Sequence, residues 1–304
     1  MMTPATKKPP HRLTELLSAE FLAKLDALDV VSRKILQGKL QGERRSKRRG
    51  QSVEFADHRP YVAGDDLRFV DWNIYGRLEQ LFLKLFMEEQ DLTVHILMDA
   101  SASVGEGDPA KATALKKLAA ALGYVGLVNN SRVTLSAFAD GLDGQVANMR
   151  GRRWVRHMAE FLLNRGAAGP SNFEEACRQL IATRTGTGVM IVMSDFLFKE
   201  GFDPGLRRLA GRNYDLYVIQ MLSPQELQPD VTGDLKLIDV EDGDAAEVTV
   251  SAALLKYYKR NLAAYCDELK QFCTRRGATY VLADSARPVE TLVLNYLRRR
   301  GLVR

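Results

Sequence analysis

The stretch Leu92-Thr-Val-His-Ile-Leu-Met-Asp99-Ala-Ser101-Ala-Ser103 decides the fold. An apolar run this short reads as a strand buried on both faces of a parallel sheet. It stops abruptly, and its carboxyl end presents one carboxylate and two hydroxyls within five residues. That end is where an open α/β sheet places its ligand site. Hard oxygen donors suit Mg²⁺ or Mn²⁺ rather than zinc. The same residues also suit plain capping, with Asp99 closing the following turn and Ser103 starting a helix.

Working outward, strand and helix patterns alternate. Strands are expected near 92–99, 131–138, 188–194, 214–222 and 278–283. Helices are expected near 109–128, 151–164, 172–184, 203–211, 252–276 and 287–299. This alternation predicts an α/β fold, with a mainly parallel sheet and helices on both faces. The segment from Asp234 to Val250, with Asp242-Gly243 at its middle, reads as an antiparallel hairpin that forms an edge or an insert. Upstream, residues 1–10 are polar and proline-containing and read as a disordered tail. Leu13, Leu16, Leu17, Phe21, Leu22, Leu25, Leu28 and Val31 recur at helical spacing. Short aromatic and β-branched pieces between Gly50 and Leu85 read as a small β-rich subdomain. The expected organisation is therefore a tail at 1–10, helices with a β-rich subdomain at 11–90, and the α/β domain at 91–304.

A cation at the end of a sheet needs donors from several strand-to-helix loops, and two more loops supply them. Gly188-Val-Met-Ile-Val-Met-Ser194-Asp195 is a second apolar strand ending in an acid. Between the two strands, Gly166-Ala-Ala-Gly169-Pro170-Ser171-Asn172 delivers a hydroxyl just before a helix. Asp99, Ser101, Ser103, Ser171 and Asp195 together offer five oxygen-bearing side chains. Mg²⁺ prefers octahedral coordination and would keep a position open for an outside ligand.

Composition narrows the classes. The chain has 304 residues, 46% hydrophobic and 27% charged, with a net charge of +5 and a mean hydropathy of −0.20, ordinary for a globular domain. Three scattered cysteines, Cys177, Cys266 and Cys273, fit neither a disulfide framework nor a zinc site and read as buried free thiols. No stretch reaches the length of a membrane span and the start lacks a signal-peptide pattern, so a cytoplasmic location is expected. His11, His58, His95 and His157 are scattered, with His95 read as a core residue. Gly105-Glu-Gly107 lacks the third glycine of a dinucleotide fingerprint.

The three metal-type loops resemble the metal-ion-dependent adhesion site (MIDAS) of von Willebrand factor A domains. The resemblance implies that Asp99, Ser101 and Ser103 form its first loop, Ser171 its second and Asp195 its third. Two departures stand out: Ser171 follows Pro170 where Gly-Gly-Thr is usual, and Phe196 follows the third-loop acid where Gly is usual. A second block is similar to the signature of the bacterial family DUF58: Gly50-Gln-Ser-Val-Glu54-Phe55, Arg59-Pro-Tyr61, Gly64-Asp65-Asp66-Leu-Arg68, Val70-Asp71-Trp72, Arg77 and Leu83-Lys84. Ser194-Asp195-Phe196 also matches that family's third loop. The resemblance runs from about residue 40 to residue 200. It implies a von Willebrand A-like domain and a MoxR-type AAA+ ATPase as partner, in chaperone-like assembly or maturation of a client protein. Many members carry an amino-terminal membrane anchor, and this chain resembles the short soluble branch.

The expected function is a metal-dependent protein–protein interaction module without a small-molecule substrate. Arg44, Arg45, Arg48, Arg59, Asp65, Arg68, Asp71 and Trp72 are candidate partner-binding residues. Glu54 to Trp72 also reads as a buried ion-pair lattice pinned to the sheet by Trp72. Two alternatives differ in class. One is an Mg²⁺- or Mn²⁺-dependent hydrolase of phosphate esters with residues 44–49 as an anion clamp, which lacks an evident general base. The other is nucleic-acid binding through that cluster, which no aromatic residue interleaves.

Overall fold

The computed structural model describes residues 13–30, 32, 55–86, 92–105, 110–183, 188–241 and 243–304. Ten strands lie among them: β1 (Phe55–Pro60), β2 (Phe82–Phe86), β3 (Thr93–Asp99), β4 (Arg132–Ala139), β5 (Gly141–Met149), β6 (Gly188–Ser194), β7 (Tyr214–Leu222), β8 (Gly233–Ile238), β9 (Ala245–Val250) and β10 (Thr279–Asp284). The described residues divide into two compact units, with 55–86 in the smaller one and the rest in the larger.

In the larger unit a six-stranded sheet runs in the order β10-β7-β6-β3-β4-β5. Every neighbouring pair is parallel except β4 and β5. The apolar runs explain the central strands. Every residue of β6 is buried, as are six of the seven in β3. Successive side chains point to opposite faces. Val94, Ile96 and Met98 therefore enter one core with the helix Ala110–Val128, while Leu97 joins a second core with Phe138, Phe173 and Phe196. Small residues let that helix approach closely. A Cβ added at Gly126 would stand 2.7 Å from Val133 Cγ2.

The five expected parallel strands all form, with edges moved by a residue at most. The expected helices form over 110–128, 155–164, 173–183, 203–210 and 252–275, and the last as Val289–Thr291 followed by a π-helical turn, Leu292–Leu297. One strand is new: β5, antiparallel at the edge, where only Gly141 and Met149 are buried. The hairpin expected over 234–250 forms as β8 and β9, a separate two-stranded sheet, with Asp242 outside the described residues.

The amino-terminal pattern yields a 3₁₀ turn, Leu13–Glu15, and a helix, Ala19–Leu25, which Ser18 caps by accepting from Phe21 N. This helix belongs with the large sheet and not with the β-rich piece. Phe21 and Leu25 are buried in its core, and Tyr124 Oη donates to Asp26 Oδ1 at 2.8 Å. The expected tail at 1–10 and Val31 lie outside the described residues.

The smaller unit is less uniformly β than its composition suggested. β1 and β2 pair antiparallel around a 3₁₀ turn, Leu67–Phe69, and a helix, Trp72–Leu78. Asp71 caps that helix by accepting from Asn73 N and Ile74 N.

Candidate metal centre

The order of strands fixes where a site can form. From β3 the chain moves to β4 and β5 on one side, then returns to β6 on the other. The carboxyl ends of β3 and β6 therefore flank the point where the winding reverses, the place where open α/β sheets form a crevice. Asp99 ends β3, and Asp195 directly follows β6.

The first loop is tightly wound. Asp99 is 2% exposed, and its Oδ1 accepts from Ser101 N at 2.9 Å and Ser101 Oγ at 2.6 Å. Ser101 Oγ lies 3.0 Å from Ser103 Oγ. Asp99 Oδ2 accepts from Ser194 Oγ at 2.6 Å, which ties the first loop to the end of β6. The second loop docks on the first through its backbone: Ala168 N donates to Ala100 O and Ala102 N to Gly169 O, both at 2.9 Å. Two residues beyond Gly169, the Ser171 Oγ is buried with no hydrogen-bond partner among the described residues. Ser171 N donates to Glu241 Oε2 at 3.1 Å. The β8–β9 turn is held there by an ion pair of 2.8 Å between Lys199 and Asp239. A cavity of about 170 Å³ opens beside Ser171, lined by Phe173, Phe198, Lys199, Pro204 and Glu241 among others.

The third loop departs from the glycine pattern at a measurable place. Phe196 has φ +58°, the left-handed conformation that glycine takes without strain. Burial compensates. Phe196 is fully buried among Phe173 and Phe198, its N–H donates to Ser194 Oγ, and its carbonyl accepts from Tyr265 Oη at 2.5 Å.

The electrostatics are those of crowded acids. Burial, and then the charge of Asp195, push the Asp99 carboxyl up to about 7, against hydrogen bonds from Ser101 and Ser194. Asp195 Oδ2 accepts from Lys111 Nζ at 2.9 Å, and the same ammonium reaches Glu226 Oε1 at 2.6 Å. Burial opposes the Lys111 charge, but Asp195 and Glu226 outweigh it and hold its pKa above the ordinary lysine value.

Among the described residues no group of three or more His, Cys, Asp or Glu is placed to hold a metal. A cation here would rest on two carboxylates and three hydroxyls, a donor set for a hard ion. The buried, unpartnered Ser171 Oγ and a buried Asp99 carboxyl raised by the charge of Asp195 fit such an ion. Burial of His95 at the middle of β3, edge-on to Tyr214, agrees with its reading as a core residue. Cys177 and Cys273 are buried with thiol pKa values raised by burial, and Cys266 is half-buried.

The other candidate residues fall in the smaller unit or outside the described residues. Arg44, Arg45, Arg48 and Glu54 lie outside the described residues. Arg59 holds Asp65 through two hydrogen bonds of 2.8 Å, and Arg68 pairs with Asp66. Asp71 meets His58 at 3.0 Å and Lys84 at 3.3 Å. Burial works to raise its pKa, but hydrogen bonds from His58, Ile74 N, Lys84 and Asn73 N hold it down to about 2. These pairs tie the helix Trp72–Leu78 to its own hairpin. Trp72 is not the expected apolar pin: it is 60% exposed, edge-on to Tyr75, with Leu67, Phe69 and Leu78 also exposed.

Fold and site together define a mixed α/β protein with a mainly parallel six-stranded sheet and a buried cluster of acids and hydroxyls at its switch point. The chain belongs to the family described as protein of unknown function DUF58, whose model matches residues 57–268. The match extends beyond the limit near 200 expected from the motifs. It is similar to the uncharacterized protein Mb1516 of Mycobacterium bovis and the uncharacterized protein Rv1480 of Mycobacterium tuberculosis, each 25% identical over 98% of this chain and 96% of the relative. Among solved structures it is similar to the conserved hypothetical protein BatB from Bacteroides thetaiotaomicron (15% identity, 68% of this chain and 98% of that one, TM-score 0.44). It is also similar to the pilus adhesin SpaC from Lactobacillus rhamnosus GG (14% identity, 71% and 31%, TM-score 0.43). Among the described residues no helix is long and apolar enough to cross a membrane.

Proposed function

We propose that the larger unit is a von Willebrand A-like domain and that its crevice is a MIDAS-type centre for Mg²⁺ or Mn²⁺, held by Asp99, Ser101, Ser103, Ser171 and Asp195. The ion would supply a Lewis-acidic position that accepts a carboxylate from a partner protein. The partner is a MoxR-type AAA+ ATPase, and the pair acts on a client protein in assembly or maturation. The observation that supports the reading is the pair of buried acids at the switch point, Asp99 ending β3 and Asp195 following β6, with the Asp99 carboxyl pushed up by burial and by the charge of Asp195. Each residue has its own task. Ser101 and Ser194 orient the Asp99 carboxylate, and Lys111 orients that of Asp195.

The test is capture of the neighbouring ATPase by the full chain and by Asp99→Ala, with Mg²⁺ or with a chelator. Capture by the wild type in Mg²⁺ alone, lost in the variant, supports the reading. Equal capture under all four conditions sinks it.

A further inference from the structure

Lys111 carries a role that the metal-ligand pattern does not assign. It sits in the first turn of the helix Ala110–Val128, and its side chain is 3% exposed. A lysine this buried needs charge partners, and Lys111 has two: Asp195 at 2.9 Å and Glu226 at 2.6 Å. The two partners differ in kind. Asp195 is a candidate metal ligand. Glu226 is fixed elsewhere: its Oε2 accepts from Ser223 N at 2.7 Å in a capping box, and its carbonyl accepts from Tyr258 Oη at 2.9 Å. A cation that competes for Asp195 therefore leaves Lys111 a held acceptor in Glu226.

Lys111 thus places one ammonium on the Asp195 carboxylate, where a divalent cation would compete for the same group, and the Glu226 carboxylate lies on its other side.

We propose that Lys111 sets the charge of this centre: it stands in for the cation on Asp195 when the ion is absent, and it limits affinity so that a divalent ion binds reversibly. The inference rests on the reading of the crevice as a metal centre. It differs from a purely structural ion pair in the sign of its effects. A structural pair broken at either end would loosen the site and weaken metal binding. A charge-setting lysine makes the two ends act in opposite directions.

The experiment is calorimetric titration of the full chain with MgCl₂, and separately with LaCl₃, for wild type, Lys111→Met, Lys111→Arg and Glu226→Gln. Loss of a buried positive charge near the ion should raise Mg²⁺ affinity in Lys111→Met by about tenfold or more, and La³⁺ affinity by a larger factor. Lys111→Arg keeps the charge and should stay within about threefold of wild type. Glu226→Gln removes a negative charge and should lower Mg²⁺ affinity by about tenfold. If wild type binds Mg²⁺ and Lys111→Met binds it equally or more weakly, the inference falls while the metal reading stands. If neither binds any cation, the metal reading itself falls. Binding by Lys111→Met alone supports the inference in its strongest form. Should Lys111→Met not fold, Glu226→Gln decides: unchanged or tighter binding overturns the proposal.

Discussion

Asp99→Asn separates what the crevice costs the fold from what it gives the ligand. In the folded chain the Asp99 carboxyl is buried and its pKa is raised from 3.8 to about 7, first by burial and then by Asp195. The folded state thus holds this proton more tightly than the unfolded chain. Its stability is full below about pH 4, falls as pH rises toward 7, and is flat beyond. One pKa unit corresponds to about 1.4 kcal/mol, so keeping Asp99 ionised costs the metal-free protein roughly 4 kcal/mol at pH 8. Asparagine keeps the shape and the acceptor for Ser101 but has no proton to lose. Its amide must face Ser194 Oγ, a mismatch of about 1 kcal/mol that the hydroxyl can lessen by turning. Metal-free Asp99→Asn should therefore exceed wild type by about 2–3 kcal/mol at pH 8 and match it near pH 4. Mg²⁺ at one hundred times its dissociation constant should return about 2.7 kcal/mol to wild type alone. Urea denaturation with chelator or Mg²⁺ across pH 4–8 measures each quantity. Wild-type stability that is flat from pH 4 to 7, or a variant weaker than wild type at pH 8 without metal, would refute the reasoning.

Ser171→Ala removes a buried hydroxyl that has no partner, so metal-free stability should hold or rise by up to about 1 kcal/mol. Mg²⁺ affinity should fall, and a thermal-shift titration reads both. Gly105→Ala places a Cβ 2.6 Å from Ala167 Cβ, wedging the first metal loop from the second. It should cost about 1–3 kcal/mol and weaken Mg²⁺ binding without touching a ligand; unchanged binding would show that the loops move independently. At Phe196 the usual order of alanine and glycine should invert. Both substitutions lose the ring, at about 3–5 kcal/mol, but Phe196→Gly relieves the left-handed backbone and should be the more stable of the two by about 1 kcal/mol in chemical denaturation.

What could be read from the sequence followed from local chemistry. β3 and β6 were visible because strands buried on both faces need continuous apolar residues, and their acids were visible because the runs stop at them. β5 was not. It is an edge strand, mostly half-exposed, with Gly141, Gly144 and Asn148 at positive φ, so neither an apolar run nor clean alternation marks it. Lys111 and Glu226 were hidden for another reason. They lie 115 residues apart, and only the return of the chain through β7 brings them together. Nothing in Asp-Pro-Ala-Lys111 distinguishes that lysine from the half-buried Lys116 and Lys117 one to two turns on. Of the charged set expected as a buried lattice, only Arg59 and Asp65 pair with each other, Arg68 and Asp71 take Asp66, His58 and Lys84 instead, and Trp72 is exposed, because a tryptophan in a charged segment does not declare which way its helix turns.

Several features that break local rules lie in the loops at the carboxyl ends of β3 and β6 or in contact with them. A carboxyl is held buried near a second acid, a hydroxyl is buried without a partner, a phenylalanine occupies a glycine conformation, and a lysine is nearly sealed from water. Each costs stability on the order of 1 kcal/mol or more, and the surrounding sheet is otherwise filled by apolar side chains in regular strands. Hydrophobic residues of similar volume could fill the same space without those costs. Under the proposed reading, the counter-charge that these buried acids call for is shared between Lys111 and a cation bound from outside. If the site binds a cation as proposed, ligand binding and folding are linked in this domain through Asp99, Asp195 and Lys111.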